Sequence, residues 1–502
     1  MQATSSIWTQ GAPAPRYSRL DSDREVDVAI VGGGLTGITA ALLLAQAGKR
    51  VVVLEGRRIG SGVSERSTAH VTEAVDTRYG EFESRDPKLA KAVRESSRGA
   101  IELIARLAEQ CEENAGFRRV PGYLFSEDAS ETDALRSEAA AARRAGATVE
   151  IGEVPLPIAR GVGVRFEGQA ELDPVAYVAG LAQAAQRASA QVFEESLVVG
   201  LASGDRVRLE LEHGPSVTAA DVILATHAPF TKATFQTKIS QYRSYVVAAP
   251  LGKPLDALFW DTADPYHYVR SARSAGTQSG SPSSVLIVGG EDHKTGHEPE
   301  GGTEGAFERM VAYARRFGVE PSERWSAQVV ESLDGLPYIG KPTESEPVHV
   351  ATGYGGNGVT FGTLAAMILC DDLLGNTHPH AHWYRATRFG SAASVPPLLK
   401  ENVDFPLQLL RDRLHGASPR SAAELREGEA AVLQVDGEKL AVYRDSTGQL
   451  HAVSALCTHL GCQVAFNPSE RSWDCPCHGS RFSIEGAVLD GPAKKRLAKR
   501  LL

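Results

Sequence analysis

Two apolar periods alternate along the chain. Residues 25–55, EVDVAIVGGGLTGITAALLLAQAGKRVVVLE, hold an apolar run, a glycine turn, a helix-length stretch and a second apolar run. Short unbroken apolar runs suit strands buried on both faces, so this stretch predicts a βαβ unit. DPKLAKAVRESSRGAIELIARLAEQCEE places Ile101, Ile104, Leu107 and Cys111 at three- to four-residue steps, the stripe of an amphipathic helix, and makes Cys111 a core residue. VPGYLFSEDAS predicts a strand and turn, ALRSEAAAARRAG a helix stopped by glycine, and Pro174–Ala188 another helix. Residues 233–325 are richer in strand-like pieces, YRSYVVAAPL, PYHYVRSA and SSVLIVGGE, with TQSGSPSS as a hairpin tip. VHVATGYGGNGVTFGTLAAMILCDDLLG returns a strand, a glycine turn and an apolar helix that takes Cys370 into the core. Residues 389–419 read as a linker, and the remainder as short strands and turns.

Length and composition narrow the picture. A chain of 502 residues predicts about three domains. The net charge of −9 and the lack of a long basic run in the body of the chain argue against nucleic acid. The N-terminus shows no signal-peptide pattern, and the most apolar stretch is broken by glycines, so a cytoplasmic protein without a membrane span is expected. Six cysteines do not make a disulfide scaffold, but four of them crowd between Cys457 and Cys477.

That cluster reads Cys457-x-His459 and Cys475-x-x-His478. Two thiolates and two imidazoles could close a zinc tetrahedron. Zinc motifs, however, usually pair like with like in one loop, whereas each loop here gives one cysteine and one histidine. A two-iron, two-sulfide cluster suits this arrangement, with thiolates on one iron and neutral imidazoles on the other, at a potential of about −150 to +300 mV. CTHLGC and CPCHGS, within Leu450–Ala493, resemble the ligand loops of Rieske iron–sulfur domains. The resemblance implies that Cys457 and Cys475 hold one iron and His459 and His478 the other, with Cys462 and Cys477 as a bracing disulfide.

Near the N-terminus, Gly32-x-Gly34-x-x-Gly37 follows a strand and opens a helix, and Glu55 closes the next strand. Such a turn lets the backbone approach a pyrophosphate at a helix N-terminus, while the acid accepts from ribose hydroxyls. The loop alone does not separate FAD from NAD. RRIGSGVSERSTAHVTEA, DGLPYIG and GYGGNGVTFG resemble segments of the FAD-dependent amine and amino-acid oxidases, the D-amino-acid oxidase/glycine oxidase-like superfamily. By that resemblance Ser67, Thr68 and Ala69 lie near pyrophosphate and flavin, and Val198 meets the adenine. Gly358, Val359 and Thr360 open a helix towards the flavin. Some relatives hold flavin through a cysteine, but the corresponding strand WSAQVVES has none, so a non-covalent FAD is expected.

The fold expected is α/β: a Rossmann-like FAD-binding domain of glutathione-reductase type, an inserted α+β substrate domain and a C-terminal all-β Rieske domain. The boundaries run as an extended segment 1–23, a FAD-binding domain of 24–115 with 165–232 and 326–388, a substrate domain of 116–164 with 233–325, a linker 389–419 and a Rieske domain 420–502. Tyr242, Arg243, Tyr266, His267, Tyr268, Arg270 and His293 are the candidate substrate residues. In PYHYVR, strand alternation puts Tyr266, Tyr268 and Arg270 on one side and His267 on the other. Arg243 and Arg270 are either carboxylate binders or structural; His293 is either catalytic or a loop residue. HPHAHW reads as surface, and the basic KKRLAKRLL as a solvated strand or an attraction for an acidic partner.

The whole resembles bacterial FAD-dependent oxidoreductases that end in a Rieske domain. This implies oxidation of a small-molecule amine or amino acid, with electrons passed singly to an external one-electron carrier. Reversed flow, in a reductase or monooxygenase, and a non-catalytic redox relay or sensor are the alternatives.

Overall fold

The computed structural model describes residues 6–10, 15–159, 161–230, 233–273, 284–343, 346–388 and 421–502. The expected linker 389–419 and most of the TQSGSPSS tip lie outside them. The first apolar run forms the strand Arg24–Val31 at the centre of an eight-stranded sheet. It pairs in parallel with Val51–Leu54 on one side and Val217–Leu224 on the other. Between the first two strands runs the helix Leu35–Gln46, buried on nearly every side. It packs against the helices Pro174–Arg187 and Gly358–Leu373. All-round burial explains why its sequence shows no polar face. Asp173 caps Pro174–Arg187 by accepting from the amides of Val175 and Ala176.

A second, nine-stranded sheet orders the strands Glu323–Ser332, Ile239–Leu251, Ser284–Lys294, His267–Arg273, Leu258–Asp261, Arg118–Phe125, Val162–Glu171 and His70–Val71, with Val149–Glu153 paired to Val162–Glu171. Its strands alternate as a two-sided sheet requires. Tyr245, Val247, Leu286 and Val288 pack on Phe307 and Met310 of the helix Gly302–Arg315. Val246, Ala248 and Ile287 face the other way, towards Trp8 and Trp325. Two strands straddle the domain boundaries expected from sequence. Val162–Glu171 crosses 164/165 and Glu323–Ser332 crosses 325/326, and both pair inside this sheet.

The C-terminal part is all β, two four-stranded antiparallel sheets around Tyr443, Val453, Trp473, Phe482 and Leu497. The final strand Lys499–Arg500 is exposed and pairs with Leu450–Ser454. Of HPHAHW, His378 is buried, not at the surface, and His382 is exposed.

Candidate functional site

The cluster loops are two matched turns. Cys457–Cys462 is closed by the Cys457 amide donating to the Cys462 carbonyl at 2.8 Å, and Cys475–Ser480 by the Cys475 amide donating to the Ser480 carbonyl at 2.8 Å. Gly461 and Gly479 take φ of 78° and 62°, the left-handed region that glycine enters without strain. The Cys462–Cys477 disulfide ties the loops together. Cys457 and Cys475 are buried and free, and the rings of His459 and His478 meet edge to face at 5.0 Å. The Sγ atoms of Cys462, Cys475 and Cys477 lie within 4.8 Å of one another, but the first and last are spent in the disulfide. Nδ1 of His459 is buried and has no hydrogen-bond partner among the described residues. Burial, then His459, pushes His478 down to about 4, and burial, then Lys494, lowers His459. Neutral imidazoles and a pair of free thiols are the donor set a Rieske centre needs.

At the other end, Gly32 and Gly37 sit where a side chain would strike the carbonyls of Ala225 and Gly32 respectively, so the turn closes only with glycine. The chain enters the helix at Gly34, and the Leu35 amide donates to Ser64 Oγ at 3.1 Å. Glu55 accepts from the amides of Gly33 and Arg57, each at 2.8 Å. Burial raises its carboxyl against those donors. Val198 is buried in the strand Val198–Ala202. Ser67 accepts from the Ala69 amide at 3.0 Å, and Ala69 itself has a left-handed φ of 54°. Gly358, Val359 and Thr360 open the helix Gly358–Leu373, whose N-terminus no side chain caps. Thr360 Oγ1 accepts from the Thr72 amide at 3.2 Å and donates to its carbonyl at 3.0 Å. An uncapped helix start facing a glycine-rich loop suits the anionic side of a flavin.

The substrate candidates do not stay together. Arg270 is buried and donates to the carbonyls of Thr68, Ala69 and Leu172 at 3.0, 2.8 and 3.2 Å. It thereby pins the Ser67–Ala69 segment. Arg243 is buried and bonds to Ser326 and to Glu470 of the C-terminal domain. His267 faces away from its neighbours, stacked on Tyr313 at 4.0 Å and bonded to Asp261 at 2.9 Å. His293 stacks on Tyr245 at 5.5 Å, and burial, then Arg243, pushes it down to about 4. Tyr242 is half-buried on the strand Ile239–Leu251.

Tyr266 and Tyr268 remain together, ring centroids 5.9 Å apart, and they gather residues that sequence reasoning missed. Tyr266 donates to Asp292 Oδ2 at 3.3 Å, and Ser244 Oγ and the Tyr268 hydroxyl lie 2.7 Å apart. Tyr268 meets His70 edge to face at 5.8 Å, and His70 Nδ1 lies 3.1 Å from Thr68 Oγ1. Burial pushes Asp292 up to about 7, against hydrogen bonds from Ser244 and Tyr266. Asp76 accepts from the Gly356 amide at 2.6 Å. Its side chain is exposed, while the protein around it raises its carboxyl. His70, Tyr268 and Asp292 on one side and Asp76 on the other link Ser67–Ala69 to the loop that opens Gly358–Leu373, and the space they border is the polar chamber of the site. No periodicity marks Asp76 or Asp292; adjacency to quoted motifs was the only available signal.

A dinucleotide turn, a sheet facing it across a polar chamber and a two-cysteine, two-histidine module define an oxidoreductase with a nucleotide cofactor and a metal centre. The chain belongs to the FAD dependent oxidoreductase family, which matches residues 27–372, and a Rieske [2Fe-2S] domain matches residues 419–500. Its cofactors are FAD and a Rieske-type [2Fe-2S] cluster. A Bacillus subtilis (strain 168) protein described as a Rieske 2Fe-2S iron-sulfur protein, YhfW, is 28% identical over 99% of this chain and 97% of its own. The cytochrome b6-f complex iron-sulfur subunit of Microcystis aeruginosa is 42% identical over 17% of this chain and 43% of its own. Glycine oxidase from Geobacillus kaustophilus superposes with a TM-score of 0.62 at 20% identity, covering 73% of this chain and all of its own. No helix among the described residues is long and apolar enough to cross a membrane.

Proposed function

We propose that the protein is a dehydrogenase that oxidises a small amine or amino acid and delivers the electrons singly, through its Rieske centre, to an external carrier. FAD accepts two electrons as hydride, and a Rieske cluster passes one at a time. A substrate ammonium gives up a proton and its carbon a hydride, and the resulting iminium hydrolyses to a carbonyl compound and ammonium. Two electrons then leave, one to each of two oxidised carriers.

The observation that carries this reading is the seam between the C-terminal domain and the substrate sheet. Gln328 Nε2 donates at 2.9 Å to the carbonyl of Gly479, the residue after the ligand His478. Gly296 sits so close to Pro476 that an added Cβ would lie 2.5 Å from its nitrogen. Ser469 bonds to Thr303 and Glu304 at 2.7 Å each, and Asp490 to His227 at 3.4 Å. The cluster-bearing loop is thus held on the sheet that faces the chamber. FAD-family neighbours such as glycine oxidase act on an amino acid, which supports the substrate class.

Anaerobic stopped-flow mixing of the holoenzyme with amines and amino acids tests the reading. Bleaching of the flavin followed by reduction of the cluster is expected. Reduction of both centres only by an external donor would reverse the direction, and no response to any substrate would leave a redox relay.

A further inference from the structure

The chamber contains acid and aromatic groups, and its arginines are engaged elsewhere. Arg270 is taken by three backbone carbonyls and approaches Glu171 at 3.5 Å. Arg243 is taken by Ser326 and Glu470. Arg78, the cation facing Asp76, is ringed by Glu138, Glu131 and Asp261 as well. Besides burial, the groups that act most on Asp292 are Ser244, Tyr266, Asp76 and Glu291, none of them a cation. Its Oδ1 is buried with no hydrogen-bond partner among the described residues. A buried carboxylate oxygen left without a donor is costly unless a ligand supplies one.

The two tyrosine rings support the same reading. Tyr268 lies so close across Gly289 that any side chain there would collide with its ring, which fixes the ring in the chamber wall. Tyr266 stands beside it, anchored through its hydroxyl to Asp292. Two fixed phenol rings next to an unpaired carboxylate form a box for a cation, because ring faces attract positive charge. A carboxylate in the same box would meet two acids.

Resting on the dehydrogenase reading above, we infer that this chamber takes a cationic amine with no carboxylate beside the amino group, held by Asp292 and Asp76 against Tyr266 and Tyr268. The substrate class is therefore a primary or secondary alkylamine, arylalkylamine or diamine rather than an α-amino acid.

The test uses the holoenzyme without oxygen and reads the flavin absorption band and the melting temperature. The probes are benzylamine and butane-1,4-diamine, set against glycine, L-proline and benzoate. The amines are expected to perturb the band and raise the melting temperature, with apparent Kd weakened at least tenfold in Asp292→Asn and in Asp76→Asn. Tighter binding of benzoate or either amino acid than of the amines would overturn the inference. So would no response to the amines, or wild-type affinity in both variants. The two readings fail separately. Amines that bind without bleaching the flavin leave the inference standing and remove the dehydrogenase. Amino acids that bleach it while amines do not bind do the reverse.

Discussion

Two buried charged regions lie on the same nine-stranded sheet and behave oppositely. At the seam, Glu470 is buried, yet Arg243 and Arg481 outweigh the burial and hold it down at about 2. Arg481 also binds Asp474 at 3.0 Å, and Asn467 adds a donor to Glu470 at 3.2 Å. Each acid there has a cation, so the network is complete without a ligand. In the chamber, burial drives Asp292 the other way, up to about 7, with no arginine among the groups that act most on it. Opposite outcomes at two desolvated acids separate structure from site: a compensated charge fastens two domains, and an uncompensated one awaits a guest.

This contrast can be broken at its strongest point first. Arg243→Met would leave Glu470 buried with only Arg481 and the weaker Arg66 to compensate it, a loss of about 3–5 kcal/mol. A lower melting temperature is expected, together with slower flavin-to-cluster electron transfer but normal flavin reduction by substrate. Slowing of both steps alike would contradict the assignment of Arg243 to the seam. Arg270→Met strands three carbonyls and should weaken FAD retention by about 2 kcal/mol, roughly thirtyfold, seen by dialysis against apo-protein.

Asp292→Asn should act in the opposite sense on stability. The folded carboxyl lies above its usual value, so folding is penalised as pH rises from about 4 to about 7, and the penalty persists above that. The variant is therefore expected to match the wild type near pH 4 and to be more stable by roughly 1–3 kcal/mol at pH 8, measured by denaturant titration. Amine affinity in the wild type should climb with pH up to about 7 and then level off, with Ser244, Tyr266, Tyr268, Asp76 and Glu291 as the groups facing the titrating acid. The smallest effect is expected at the rim of the seam. There burial raises Asp490, but His227, the Gly491 amide and Arg57 together outweigh it and hold the carboxyl down at about 2. Asp490→Asn should cost about 1 kcal/mol or less and lose even that in high salt.

How much was legible beforehand follows from how local each feature is. The cluster loops needed only CTHLGC and CPCHGS, because the two cysteines and two histidines proposed as ligands come from two short turns. The glycine turn was local in part: the Gly32 carbonyl that excludes a side chain at Gly37 belongs to the turn itself, whereas the carbonyl that excludes one at Gly32 comes from Ala225 at the end of a remote strand. The two arginines were not legible. Whether Arg243 meets a substrate or Glu470 depends on residues 227 positions apart in sequence. Asp76 and Asp292 were invisible for the same reason, since nothing near either one in sequence reports which side chains burial will bring to it.

The sequence by itself determined the fold classes, the cofactors' cradles and the cysteine–histidine donor set, because each is written in residues that touch within a turn or along one strand. Only the tertiary structure decided which buried charges are neutralised and which are left open. That choice depends on desolvation by, and distance to, groups from remote strands and from another domain, and Coulomb energies inside a protein change with a few ångströms that no linear pattern encodes.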